Sequence, residues 1–200
     1  MPYELVIFDL GGVAVEAEAD RLVFQVSQVL GRSFEDVQQA VYDKEMLLPF
    51  ELGQISAAAY YEGLKRTLKL PWGYEQFVHA WNGILGERPK MGALLRRLRA
   101  RYKLSALSNT NELHIGHVKS FKSLAPFQDW VASCDVGMRK PDAEIYRLVV
   151  QRAGVTPETA VFIDDRQEFV EAAKRAGLAS FRFESEEQVV VSLRGLGIEA

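Results

Sequence analysis

Residues 3 to 9 are mostly apolar and run into Asp9, followed by the glycine pair Gly11-Gly12. A short apolar run closed by a turn signal predicts a buried strand. From about residue 16 to residue 88 the hydrophobic positions recur with helical spacing. Leu22, Val23, Val26, Val29 and Leu30 share one stripe, and Tyr60, Tyr61, Leu64 and Leu68 share a second. Tyr74, Phe77, Val78, Trp81, Ile84 and Leu85 form a third. The stretch "MLLPFELG", 46 to 53, reads as an apolar loop between helices. From Pro89 onward helix and strand patterns alternate. Pro89 suits the first turn of a helix carrying Met91, Leu94, Leu95 and Leu98. Strand 102 to 107 follows, then a helix capped at Asn111 and a short strand at 130 to 134 that holds Cys134. Pro141 opens a helix, 160 to 163 reads as a strand, and the next helix stops at Gly177. Strand 179 to 183 and a last helix complete the pattern. Strands separated by helices predict an α/β fold, a parallel sheet with helices on both faces, joined by right-handed crossovers. The block 16 to 88 is then an all-helical insertion after the first strand.

The chain has 200 residues, of which 48% are hydrophobic, enough for a sizeable core. No run of about 18 apolar residues predicts a membrane span. Met1-Pro2-Tyr3-Glu4 does not read as a secretory leader. A single cysteine excludes an internal disulfide and fits a reducing compartment, so a cytoplasmic protein is expected. The net charge is −3, without a basic run, which argues against nucleic acid or an anionic membrane as partner. A small anionic substrate stays open, and the chain is expected to act as a monomer or small homo-oligomer.

Four polar groups fall at predicted strand ends: Asp9; Ser108 and Asn109; Lys140; and Asp164 with Asp165. In a parallel sheet these C-terminal ends share one edge, where ligands bind. Any one of them could be an ordinary turn residue. Together they supply what phosphoryl transfer through a carboxylate needs. An aspartate can attack phosphorus. A magnesium ion held by Asp9 and one of Asp164 and Asp165 would offset the charge. Lys140, Ser108 and Asn109 can hold the phosphate, and Gly11 and Gly12 let backbone amides approach it.

The strand with "FDLGGV", then "LSNT", "RKPDAEIY" and "FIDD", in this order, resembles the haloacid dehalogenase superfamily. The segments "YEQFVHAWN", "LSNTNELH" and "GMRKPDAEIY" are similar to its bacterial glucose-1-phosphate phosphatase branch. The chain also resembles the amino-terminal phosphatase domain of soluble epoxide hydrolases. The resemblance implies a Rossmann-like core at 1–15 and 89–200 with a helical cap at 16–88. It implies Asp9 as nucleophile and Gly11 as a backbone-carbonyl ligand to Mg2+. Asp165 is then the direct metal ligand, with Asp164 beside it. Lys140 is implied as catalytic, and Ser108, Asn109, Lys140 and Gly12 as phosphate-binding residues. The implied activity is magnesium-dependent hydrolysis of small phosphorylated metabolites, sugar phosphates first among them. Two alternatives are a dehalogenase-type hydrolase of a C–X bond and a phospho-ligand binding protein with vestigial activity.

The family pattern has a second aspartate where this chain has Gly11. That acid protonates the leaving alcohol, help worth roughly 10²–10⁴-fold. Its absence fits three cases: substrates with weakly basic leaving groups, a stand-in group from the cap, or a relict catalyst. His114, just after "LSNT", is one candidate stand-in, although a capping or surface role suits it better. Trp81 reads as core, and His79 as solvated.

Overall fold

The computed structural model describes residues 2–200. Among these, β1 (Leu5–Phe8) and β2 (Val15–Ala17) precede five helices. They are α1 (Ala19–Leu30), α2 (Phe34–Val41), α3 (Lys44–Glu51), α4 (Ala57–Leu68) and α5 (Tyr74–Asn82). The chain returns through β3 (Leu85–Glu87), then alternates: α6 (Pro89–Arg99), β4 (Lys103–Ser108), α7 (Glu112–Val118), β5 (Asp129–Ala132) and the single turn α8 (Ser133–Val136). It ends with α9 (Ala143–Ala153), β6 (Ala160–Asp164), α10 (Gln167–Arg175), β7 (Ala179–Arg182) and α11 (Glu186–Gly195). No helix among the described residues is long and apolar enough to cross a membrane.

Five parallel strands form the sheet, in the order β5-β4-β1-β6-β7. This is the expected α/β, Rossmann-like arrangement. Leu5 and Ile7 of β1 enter a cluster with Val149, Phe162 and Phe169, while Val6 and Phe8 enter another with Leu95, Leu104 and Val161. The central strand is therefore buried on both faces, which is why it reads as an unbroken apolar run. Helices α1–α5 gather a third cluster of their own, including Leu22, Val37, Phe50, Tyr60, Phe77 and Trp81.

Three local expectations change. The segment 16–88 is not helical throughout: β2 and β3 pair antiparallel at its two ends, with Glu16 opposite Gly86. Three residues per strand are too few to display a two-residue period. The stretch 46–53 is mostly helix rather than loop. Asp43 caps α3 by accepting from the Glu45 amide at 3.1 Å. Phe50 near its other end stacks on Tyr60, centroids 4.6 Å apart. Packing outweighs the helix-breaking tendency of Pro49 inside the helix. Finally, β5 stops at Ala132, so Cys134 lies in the turn α8, half-buried, instead of in a buried strand. Burial and Asp135 push its thiol up to about 12, so it stays an unreactive thiol.

Candidate active site

The register of the sheet builds the site. Phe8 pairs with Ala106 on one side and Ile163 on the other. Asp9, one residue past β1, therefore comes level with Asp164, the last residue of β6. The Asp9 amide donates to the Ile163 carbonyl at 2.9 Å, which fixes that level. Ser108 ends β4 beside them and is buried.

Lys140 arrives from the loop before α9 and is 1% exposed. Its Nζ lies 2.8 Å from Asp9 Oδ1 and 2.5 Å from Asp164 Oδ2. The faces of Phe162 and Phe169 stand 5.4 and 4.9 Å from the same ammonium. Burial works against the charge on Lys140, but the carboxylates of Asp9 and Asp164 outweigh it and raise its pKa above the ordinary lysine value. The ammonium stays charged.

Each of Asp9, Asp164 and Asp165 offers a carboxylate oxygen within 4.8 Å of the others. Burial raises all three above the usual carboxylate range. Lys140 pulls Asp9 and Asp164 back, while Asp9 raises Asp165 further. Three carboxyls share one ammonium, so the ionised cluster keeps excess negative charge. An oxygen-only donor set with uncompensated charge fits a hard divalent cation. Asp164 is the most committed of the three: Oδ2 takes Lys140, and Oδ1 accepts from the Arg166 amide at 2.9 Å.

Gly12 and Asn109 act differently from expectation. The Gly12 amide is not aimed into the site; it donates to the Val15 carbonyl at 3.0 Å. What Gly12 supplies is room: at φ +80°, an added Cβ would stand 2.6 Å from Asp165 Oδ2. Gly11 bridges to Val15 and has ordinary φ, and an added Cβ would meet only Ala17 Cβ at 3.7 Å. The Asn109 side chain is spent on Lys140: Nδ2 donates to its carbonyl at 2.9 Å, and Oδ1 accepts from its amide at 2.8 Å. Asn109 therefore fixes the lysine loop.

The histidine expectations also change. His114 is neither at the surface nor a proton donor to substrate. Its ring stacks on Trp81 at 5.2 Å, and Nε2 donates to the Trp81 carbonyl at 3.0 Å. Nδ1 accepts from Asn111 Nδ2 at 3.2 Å, because Asn111 Oδ1 is taken by Trp81 Nε1. Burial lowers its pKa to about 4, so the ring is neutral at pH 7. Trp81 is core and His79 is exposed, as read. Among residues that the pattern did not single out, Arg139 precedes Lys140 and Arg166 follows Asp165. Glu51 ends α3, and its carboxylate lies 3.6 Å from Arg139. Adjacency to the motifs could have flagged the two arginines; nothing local flags Glu51.

The fold is α/β, and its strand-end edge gathers three carboxyls around one buried ammonium, the donor set of a hydrolase of this class. The haloacid dehalogenase-like hydrolase family matches residues 3–177, and the chain belongs to it. D-ribitol-5-phosphate phosphatase of Bacteroides thetaiotaomicron is 28% identical over 190 residues, covering 90% of this chain and 91% of that one. A phosphorylated carbohydrates phosphatase of Thermotoga maritima is 27% identical over 184 residues, covering 88% and 82%. A solved haloacid dehalogenase family enzyme from Bacteroides thetaiotaomicron, in complex with magnesium and inorganic phosphate, superposes with TM-score 0.83. It is 26% identical, with 94% of this chain and 98% of that chain covered.

Proposed function

We propose that this hydrolase is a magnesium-dependent phosphatase of small phosphorylated carbohydrates, working through an aspartyl-phosphate on Asp9. The observation that carries it is the buried Lys140 ammonium held between Asp9 and Asp164, with Asp165 alongside. The phosphatase names of the two relatives and the magnesium–phosphate complex support the reading. Magnesium, held by Asp9, Asp165 and the Gly11 carbonyl with Asp164 behind them, would supply the positive charge that lets a carboxylate meet a phosphate dianion.

The chain's own groups do the rest. Lys140 fixes the Asp9 carboxylate and keeps it ionised, so an oxygen is ready to attack phosphorus. The bond from phosphorus to the substrate alcohol breaks, leaving phosphate on Asp9. Ser108 donates its hydroxyl to a phosphate oxygen, and Asn109 holds the lysine loop in register. Water then attacks phosphorus and frees Asp9. Helices α1–α5, within 16–88, act as a cap over the core 1–15 and 89–200 and shape the pocket for the sugar.

A dehalogenase displacing halide from carbon has no use for a cluster of three acids, and a binding protein has no use for a buried nucleophile–lysine pair. The test is a panel of sugar and polyol phosphates plus p-nitrophenyl phosphate, with magnesium and with chelator. Hydrolysis that vanishes on chelation is expected. Full activity in chelator, or turnover of 2-haloacids alone, overturns the reading.

A further inference from the structure

The acid absent at Gly11 leaves the departing alkoxide without a proton source in the turn after β1. A carboxyl from the helical segment comes to the loop that carries Lys140. Glu51 is the last residue of α3, and its backbone is tied to the sheet. Its carbonyl accepts from Ser133 Oγ at 2.6 Å, and that oxygen accepts from the Thr110 amide at 2.9 Å, two residues beyond Ser108. Gly53, at φ +68°, lies so close to the Cys134 carbonyl that no Cβ would fit. Helix α3 therefore ends directly on the rim of the strand ends.

The Glu51 side chain is placed by its neighbours. Arg139, which stands 3.6 Å away, is the residue before Lys140. The charge of Arg166, the residue after Asp165, also bears on it. The carboxyl is thus held beside the residue that precedes the lysine, on the side of the core where α3 meets the strand ends. It keeps 21% exposure, so a bound molecule can reach it.

We propose that Glu51 is the proton donor to the leaving oxygen, in place of the acid missing at Gly11. The inference rests on the phosphatase reading above. In the first step Asp9 Oδ bonds to phosphorus and the phosphorus–alcohol bond breaks. Its electron pair stays on the alcohol oxygen, which takes the Glu51 proton and leaves as neutral alcohol. In the second step the Glu51 carboxylate takes a proton from water, whose oxygen bonds to phosphorus. The Asp9–phosphorus bond breaks, phosphate leaves, and Glu51 is protonated again. The surroundings suit this duty. Burial raises the Glu51 carboxyl above its ordinary range even though Arg139 and Arg166 both pull it down. Tyr60, the other titratable group facing it, donates its hydroxyl to the Val41 carbonyl at 2.5 Å and does not compete.

A cap-to-core latch alone would also place Glu51 near Arg139, and leaving-group dependence separates the two roles. The readout is kcat/KM, with magnesium, for the fastest aliphatic ester of the panel and for p-nitrophenyl phosphate, whose leaving phenolate needs little proton help. In Glu51→Gln the aliphatic ester should lose about 10²-fold, and at least tenfold more than the aryl ester. Adding Gly11→Asp to Glu51→Gln should restore most of that difference. Arg139→Gln breaks the pair but keeps the acid. Its aliphatic activity should therefore persist to higher pH, because the freed carboxyl holds its proton longer. Equal losses on both esters in Glu51→Gln, with no shift of the pH profile in Arg139→Gln, would make Glu51 a latch and overturn the proposal. Wild type that hydrolyses only the aryl ester overturns it too, since such an enzyme lacks a donor. Wild type inactive on every phosphate removes the phosphatase reading itself, a result distinct from the other two.

Discussion

The sheet edge and the helical segment of this molecule differ in how they carry information. At the edge, function is local. Asp9, Ser108, Lys140 and Asp164 each end or follow a strand, and the parallel sheet brings them together by register alone. In α1–α5 the residues follow a packing stripe. Glu51, at the end of α3, is held against the core through Ser133 and Arg139. Its position depends on tertiary contacts across 82 residues of chain. The first region can be read from motifs. The second cannot, because helical periodicity reports which face is buried and not where a helix end lands.

Perturbations at the two regions should differ accordingly, and the largest belongs to the edge. Asp9→Asn keeps the shape and removes the proposed nucleophile, so turnover should fall by at least about 10⁴-fold while the melting curve changes little. Initial rates on p-nitrophenyl phosphate at high enzyme concentration check this. A loss under tenfold would mean that Asp9 is not the nucleophile and that the edge has been read wrongly.

Next comes Lys140→Met, which fills the space but strands Asp9 and Asp164 without their ammonium. Removing one partner of a buried charge network costs about 3–5 kcal/mol. For a chain of this size that is roughly a 10 °C fall in Tm. The comparable change at the contact with the helical segment, Arg139→Gln, breaks the partly exposed pair with Glu51, worth under about 1 kcal/mol. Melts of both variants should therefore separate clearly, and similar Tm values would show that the edge is no more tightly coupled than the rim.

The contact between the two regions has its own signature. His114, on α7, is neutral and satisfied by Trp81 and Asn111, with a folded pKa of about 4 against 6.5 for the free side chain. Between those values the unfolded chain binds one more proton than the folded one, so stability rises with pH across that window. The contribution is intact above pH 6.5 and is lost progressively toward pH 4, up to about 3 kcal/mol. The Tm fall from pH 7 to pH 5 should be smaller in His114→Gln than in wild type. Parallel curves would mean that the histidine opens to solvent before it titrates.

These contrasts also explain what was legible. The parallel strands and the acid–lysine constellation were visible because an apolar run ending in a polar residue is a local pattern. The pairing of β2 with β3 was invisible in three-residue strands, and α3 was masked by Pro49. Gly12 and Asn109 were read as ligand contacts. The Gly12 amide is taken by the Val15 carbonyl in a tight turn and the Asn109 side chain by the Lys140 backbone 31 residues away, and only folding shows that both are already engaged. The family resemblance named the gap at Gly11 without saying what fills it.

That gap gives the smallest and most discriminating prediction. Gly11→Asp should fold, because Gly11 has no left-handed φ and an added Cβ meets only Ala17 Cβ at 3.7 Å. If Glu51 already delivers the proton, the new acid is partly redundant. The gain in kcat/KM on primary-alcohol phosphates should then be about tenfold, well below the 10²–10⁴-fold that an unassisted leaving group would gain. An anomeric phosphate, whose leaving alkoxide is the weaker base, should gain less still. Glucose 6-phosphate and glucose 1-phosphate, measured in wild type and variant, give the comparison. A gain near the top of the range on the 6-phosphate would show that no donor reaches the edge from α3. The wild-type enzyme would then depend on leaving groups that need none, and a strong wild-type preference for the 1-phosphate should accompany that result. An equal gain on both sugars would place the new carboxylate's benefit in the attack of water on the phospho-enzyme, with leaving-group departure already served by the helical segment.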